Sequence, residues 1–455
     1  MKIKTCGAIS TLFRVFFLIS ICAPVGIAGT VVLEGARLID GTGNPPIEKS
    51  VLVIEGNRIK TVGAMGSVPI PEGARVINLR GKTIIPALIN LHGHVGLTRD
   101  LEQAAANYNE ENIRAQLEKY LAYGVGTVVS LGNDQDLVYS LRERQRAGKL
   151  PGARLYTAGR GFGVPGGYPP GLASPGDRYR PQTPEQARDE VRELAPRHPD
   201  FVKIWVDDDF GRLPKMKPEI YQAIIEEAHR NHLRVVAHVF YLGDAKALVR
   251  AGIDGLGHSV RDLPVDQELI AGMKARGVFL VPTLARDEST FAYAKHAPWL
   301  ADPFFEAGVD PAVLATLRSP AFLEKSRATP NLARLEAAFE MARRNLKTLS
   351  DAGVRIAGGT DSGPRLRFQG YSEQRELRLM VEAGLTPMQA IVAFTSAGAE
   401  ALGTKVEFGA LAPGKIADFL VLDADPLEDI RNTEKLASVW HEGKPAKPVS
   451  ASPRL

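Results

Sequence analysis

Cysteine is almost missing from this chain: there are two in 455 residues, Cys6 and Cys22, both within the first 28. From residue 29 onward no thiol is present to form a disulfide, act as a nucleophile or bind a metal, so those chemistries are excluded there. A surplus of one charge is missing as well. The 56 basic and 52 acidic residues give a formal net charge of +4. With no basic run or aromatic-basic cluster past the N-terminus, nucleic acid is not expected as a partner. Neither a low-complexity tract nor a fixed-period repeat occurs, which argues against a repeat array.

Long apolar runs are scarce too. The one that stands out is "VFFLISICAPVGIAG", residues 15–29, preceded by Lys2, Lys4 and Arg14. A basic start, a short apolar stretch and small residues up to Ala28 read as a secretory signal over residues 1–28, with export to the periplasm or the medium. The run is short for a retained membrane span, and bulky Ile21 is unsuited to lipid attachment at Cys22. Cleavage would remove both cysteines and three basic residues, bring the formal charge to +1 and leave no stable membrane insertion.

What is present is ordinary globular composition, 44% hydrophobic and 24% charged, in a chain long enough for a large catalytic domain with a smaller companion. "TVVLEGARLIDGTG" and "KSVLVIEGNRIKTVG" alternate β-branched and apolar residues around Gly and Asn turns, and the texture returns in "ADFLVLDADPL" and "LASVWHEGKP". One small β-sandwich domain built from residues 29–83 and 405–455 is expected. Between them the pattern is strand then helix, eight times: "IIPALINLHGHV", "GTVVSLGN", "ARLYTAGRG", "FVKIWVDD", "RVVAHVF", "GLGHSV", "FLVPTLA" and "RIAGGTDSG". Eight such units point to an α/β fold, a (β/α)8 TIM barrel over residues 84–404. The Pro/Gly-rich "GFGVPGGYPPGLASPGD" after the third strand and the segment from Arg286 to about Ala328 after the seventh would lie over its C-terminal face.

On a strand, residues two apart share a face, so His92 and His94 in "LINLHGHVGL" aim both rings one way and form a chelating pair. Alone, such a pair could equally be hydrogen-bonded core histidines. Lys203 interrupts the apolar fourth strand; alone it would snorkel to an edge, but burial would push it towards the neutral amine that reacts with carbon dioxide to form a bridging carbamate. His238 and His258 near the ends of strands five and six, and Asp361 closing strand eight, would each pass singly for core or capping residues. Together the six fall on one rim.

These residues carry a resemblance. The chain is similar to the amidohydrolase superfamily of metal-dependent hydrolases, in the branch with a carboxylated lysine that includes prolidase-like Xaa-Pro and Xaa-Arg dipeptidases and ochratoxin-hydrolysing amidases. The match runs from "LIDGTG" through "GVGTVVSLG", "FVKIWV", "GIDGLGHSV" and "GGTDSG" to "VEAGLTPMQAI" and "APGKIADFLVLDADPL". The family more often has Gly and Asp where this chain has Ala87 and Asn90, and often His where it has Gln374. The resemblance implies that His92, His94 and Asp361 hold one divalent metal, His238 and His258 a second, and N-carboxylated Lys203 bridges them, zinc being favoured by the donor types.

It further implies a shared water acidified towards neutrality, Asp361 as proton carrier and Tyr241 as a donor to the oxyanion. The expected function is a secreted amidase, dipeptidase-like or N-acyl amino acid amidase-like, on a small-molecule amide or dipeptide, with a homo-oligomer possible. The alternatives are cyclic amides, esters or lactones on the same site, or a catalytically silent binding protein. His198, His229, His232, His296 and His441 are expected to be structural.

Overall fold

The computed structural model describes residues 29–169 and 178–449, so the expected signal, with Cys6 and Cys22, lies outside the described residues. From the N-terminal side come β1 (Val31–Glu34), β2 (Arg37–Leu38), β3 (Ser50–Glu55), β4 (Arg58–Ala64), β5 (Arg75–Asn78) and β6 (Thr83–Pro86). Next are β7 (Leu88–Gly93), a short hairpin of β8 (Thr98–Arg99) and β9 (Glu102–Gln103), β10 (Val125–Ser130), β11 (Arg154–Thr157), β12 (Val202–Val206), β13 (Val235–Val239), β14 (Gly255–Leu256) and β15 (Phe279–Leu280). The chain closes with β16 (Phe419–Leu422), β17 (Leu436–His441) and β18 (Lys444–Ala446).

Both ends of the chain meet in one five-stranded sheet, ordered β18-β17-β16-β6-β2, beside a four-stranded sheet ordered β4-β3-β1-β5. A single cluster joins them. Leu33, Leu52 and Ile54 from the second sheet pack with Ile84, Phe419 and Trp440 from the first, and the Phe419 and Trp440 rings stack 5.2 Å apart. The pairing is mixed rather than purely antiparallel, because β1 runs parallel to β5 and β2 to β6.

The run "IIPALINLHGHV" is two strands, not one. β6 ends at Pro86 and pairs antiparallel with β16, while β7 pairs parallel with β10. Pro86 lacks an N–H, and at Ala87 the amide donates to Asp418 O instead, at 3.0 Å. Ala87 itself is accommodated across the sheet by Gly126, where an added Cβ would lie 3.0 Å from that of Ala87.

The parallel strands form two sheets, β11-β10-β7 and β12-β13-β14-β15. Among the described residues single bridges lie between them: Phe162 to Ile204 on one side, Leu280 to Ile356 and Gly93 to Ser362 on the other. The expected eighth strand is therefore an irregular run. Gly358 and Gly359 explain why, since a Cβ there would meet the Phe394 ring at 2.4 Å and the His92 amide at 2.9 Å. A buried cluster with Ile89, Leu91, Val129, Val236, Phe279 and Ala357 draws on both sheets, so they enclose one interior. The helices between strands bury one face each, as Pro218–Arg230 does with Ile220, Ile224, Ile225 and Ala228.

The insertion after β15 has a core of its own and also reaches the rim, where Val309 and Val313 share a cavity wall with Pro364 and Arg367. Its Trp299, Phe304, Phe305 and Phe322 build an aromatic core against Tyr123 and Tyr371, and from its first helix, Leu284–Ser289, Arg286 reaches towards Asp361 at 3.8 Å. The loop after the third strand reaches the rim too, through Tyr168 and Pro169.

Candidate active site

A polar cavity of about 220 Å³ opens among His92, His94, His238, His258 and Asp361. The His92 ring centroid is 5.5 Å from that of His94 and 4.7 Å from that of His258, which stands 4.3 Å from that of His238. His94 Nε2 lies 2.9 Å and His92 Nε2 3.8 Å from Asp361 Oδ1. Lys203, fully buried on β12, brings Nζ to 3.5 Å from His92 Nε2. The six expected donors thus share one site.

Three of the four rings, those of His92, His238 and His258, are turned by a partner outside the cavity, while His94 Nδ1 meets Asn133 Nδ2 at 3.2 Å in its wall. His92 Nδ1 donates to Gly257 O at 2.8 Å, His238 Nε2 donates to Asp207 Oδ2 at 2.7 Å, and His258 Nδ1 is hydrogen-bonded to the Thr283 hydroxyl at 2.7 Å. One nitrogen of each of these three rings is thereby satisfied and oriented, the arrangement that leaves the other with its lone pair towards the centre. Burial also holds the three neutral. It drives His92 and His258 well below the ordinary imidazole value, and His238 down to about 4 despite the opposing pull of Asp207. Burial likewise brings Lys203 down to about 7, where a large share is the neutral amine that can take up carbon dioxide.

Asp361 is placed by strain. Its φ of +56° lies in the left-handed region, where Asp is tolerated but uncommon, and turns the carboxylate back over the histidines. Burial pushes its carboxyl up, but the Arg367 guanidinium with His92 and His94 outweighs it and holds Asp361 well below the usual carboxylate range. Arg367 pairs directly with Asp361 Oδ2. The donor chemistry fits divalent metal: His92, His94 and Asp361 present ligand atoms all within 4.8 Å of one another, and His238, His258 and Lys203 supply further nitrogen donors beside them.

Tyr241 is not in the wall of this cavity. It precedes the helix Leu242–Ala251 and donates its hydroxyl to Asp208 Oδ1 at 2.7 Å, with Lys215 Nζ 4.2 Å above its ring. Another tyrosine is there instead. Tyr168 sets its ring 4.6 Å from that of His238 and accepts from Arg286 Nη2 at 3.3 Å. Asn133, Arg178, Trp205 and Arg367 complete much of the wall; Trp205 and Asn133 fall in the runs "FVKIWV" and "GTVVSLGN" without being singled out, and no motif marks Arg178 and Arg367.

The sequence departures find physical explanations. Asn90 Oδ1 accepts from the His92 amide at 2.9 Å, and its Nδ2 donates to Glu373 Oε1 at 2.6 Å. The same Glu373 oxygen accepts from Thr360 and Ser362 hydroxyls, each at 2.6 Å. Glu373 is wholly buried and pushed up by that burial. An aspartate at 90 would face it with a second carboxylate and no proton to offer. Asn90→Asp should therefore lower stability by about 3 kcal/mol or more, the scale of an unpaired buried charge, and adding Glu373→Gln should recover most of it. Denaturant midpoints of the single and double variants at neutral pH check this; equal midpoints for wild type and Asn90→Asp would dismiss the pairing. Gln374 lies away from the cavity, donating to Tyr123 O at 2.9 Å and accepting from Thr433 at 2.7 Å.

The remaining histidines lie outside the cavity wall. His229 pairs with Asp254 at 2.9 Å and His441 with Asp418 at 3.1 Å, while His198, His232 and His296 occupy positive-φ turns.

Residues 83–451 match the amidohydrolase family. Ochratoxinase from Aspergillus niger is 26% identical, over 92% of this chain and 86% of its own length. Imidazolonepropionase from Streptomyces griseus is 24% identical, over 91% and 97%. The crystal structure of a Xaa-Pro dipeptidase with bound methionine superposes with a TM-score of 0.72, at 24% identity over 92% of this chain and 99% of that one, a likeness of fold.

Proposed function

Given that this chain belongs to the amidohydrolase family, we propose that it is an exported, two-metal hydrolase of amide or peptide bonds, of dipeptidase or N-acyl amino acid amidase type. The observation that carries this reading is the gathering of His94 and the outwardly anchored imidazoles of His92, His238 and His258 around buried Lys203 and Asp361. We read the two parallel sheets and the run 355–363 as one eight-stranded barrel, supported by the bridges at both seams. The two mixed sheets read as its β-sandwich companion.

In this reading His92, His94 and Asp361 would hold one ion, His238 and His258 a second, and Lys203, once carboxylated on Nζ, would offer oxygen donors to both; zinc suits the donors. When bound, the ions acidify a water and polarise the scissile carbonyl. Asp361 accepts a proton at its carboxylate and passes it to the leaving nitrogen. Tyr168, whose oxygen accepts from Arg286, keeps its own proton to donate to a developing oxyanion. Trp205 and Pro169 in the wall help to exclude bulk water.

The test combines elemental mass spectrometry of the purified protein with turnover on a dipeptide and N-acyl amino acid library, before and after chelation. Bound zinc, and turnover that chelation abolishes and zinc restores, are expected. Protein that retains no metal and hydrolyses nothing in the library would favour a binding scaffold. For export, N-terminal sequencing of protein recovered outside the cytoplasm should begin near Gly29, whereas an intact Met1 chain in the membrane would refute it.

A further inference from the structure

Two cavities meet at Arg367. The metal-donor cavity and a neighbour of about 210 Å³ share Pro364 and Arg367 in their walls. A tight turn makes this possible: Gly363 N donates to Arg367 O at 2.8 Å and Arg367 N to Pro364 O at 3.0 Å. That folds Arg367 back over Asp361, where its guanidinium binds the carboxylate and also the Asp361 carbonyl at 3.2 Å. The second cavity is amphipathic, with Val309, Val313, Leu366 and Phe368 against polar and charged groups that include Lys119.

Nearby guanidiniums have further partners. Arg286 binds Asp287 at 2.8 Å and the Tyr168 hydroxyl and reaches Asp361 only at 3.8 Å, Arg178 donates to Asn133 Oδ1 and Pro169 O, each at 3.2 Å, and Arg261, buried, binds Asp287 and Val239 O. Arg367 hydrogen-bonds Asp361 directly while its side chain keeps 23% of its surface exposed, and Asp361 is the carboxylate on which the proposed proton transfer depends.

We propose that Arg367 is the receptor for a free carboxylate on the substrate. It leaves Asp361 to pair with a carboxylate next to the scissile nitrogen, while the substrate's apolar side chain enters the second cavity. This inference rests on the amide-hydrolase reading above and names the substrate class within it: N-acyl amino acids or dipeptides with an apolar residue on the leaving side. A planar guanidinium matches either carboxylate through two parallel hydrogen bonds. The exchange keeps the arginine paired throughout, so no uncompensated charge is buried. Arrival of the substrate carboxylate would then free Asp361 Oδ2 in the same movement, and neutral amides would bind without that release.

The experiment uses the metal-loaded full chain and two probes without a scissile acyl amide, L-leucine and L-leucinol. Calorimetry should show wild type preferring leucine by about 10- to 100-fold, the range of a charge-assisted hydrogen bond. Arg367→Gln should erase that preference and leave leucinol affinity within about twofold, and Arg367→Lys should retain part of it. With N-acetyl-L-leucine as substrate, Arg367→Gln should raise KM by a similar factor. A leucine preference that survives in Arg367→Gln, or no preference in wild type, overturns the assignment. If the preference follows Arg367 but no amide is hydrolysed, the receptor stands and the hydrolase reading falls.

Discussion

Lys203→Ala lowers turnover by about three orders of magnitude, the scale expected when a preorganised electrostatic element is removed, and reduces bound metal with it. The expectation rests on burial and distance. Lys203 is fully buried, its Nζ is 3.5 Å from His92 Nε2, and burial brings its amine down to about 7. A buried lysine brought that low is in large part a neutral amine, and on the proposed reading it takes up carbon dioxide and returns two anionic oxygens. Gly132 reinforces the placement, since a Cβ there would lie 2.6 Å from Lys203 Cγ, so the stem is packed in one slot. Alanine would leave a void in that slot, and loss of packing must be separated from loss of a ligand. A short-chain carboxylate or high bicarbonate makes the separation: partial recovery of turnover identifies a missing anion, which no packing defect would supply. Normal metal content with full turnover in Lys203→Ala would remove the bridging role.

Asp361→Asn lowers turnover by roughly 10² or more, the scale of general acid–base catalysis, while bound metal falls much less. Asparagine is the suitable replacement because it keeps the shape and one oxygen donor and, like aspartate, tolerates the positive φ observed here. What it cannot do is carry the proton. The Arg367 ion pair would also weaken, so the variant tests a second consequence: its turnover should depend less on whether the substrate bears a carboxylate. His92→Ala is the contrasting control. It deletes a donor nitrogen together with the anchor to Gly257 O, so metal and turnover should fall in parallel. Metal per subunit and turnover measured on the two variants from one preparation distinguish the cases. Near-normal turnover in Asp361→Asn with full metal would end its catalytic assignment, and loss of all metal would reduce it to a ligand.

Where the sequence misleads, the misreadings share a cause. Tyr241 follows His238 by three residues, yet its hydroxyl goes to Asp208, which lies 33 residues earlier, a partner that the spacing does not announce. Tyr168 carries no motif and stands against His238 because the loop after the third strand folds over the rim. The eighth strand reads as regular from its apolar start, but two glycines pressed against Phe394 and His92 leave it as isolated bridges. In each case a loop or a close approach decides, and neither leaves a periodic trace.

The sequence by itself determined which side chains gather on one rim. Side chains on parallel strands project at fixed intervals, so histidines, a lysine and an aspartate placed towards the ends of successive βα runs must converge. It also determined that both chain ends share one sheet, through strand patterns that return after more than 300 residues, as in the β6 to β16 pairing. Only the tertiary structure decided which ring nitrogen of each histidine faces the cavity, that Asn90 answers to Glu373 across 283 residues of chain, and that Arg367 lies on Asp361. Those choices depend on hydrogen bonds between groups brought together by folding, and pairing at such separations has no local pattern from which it could be read.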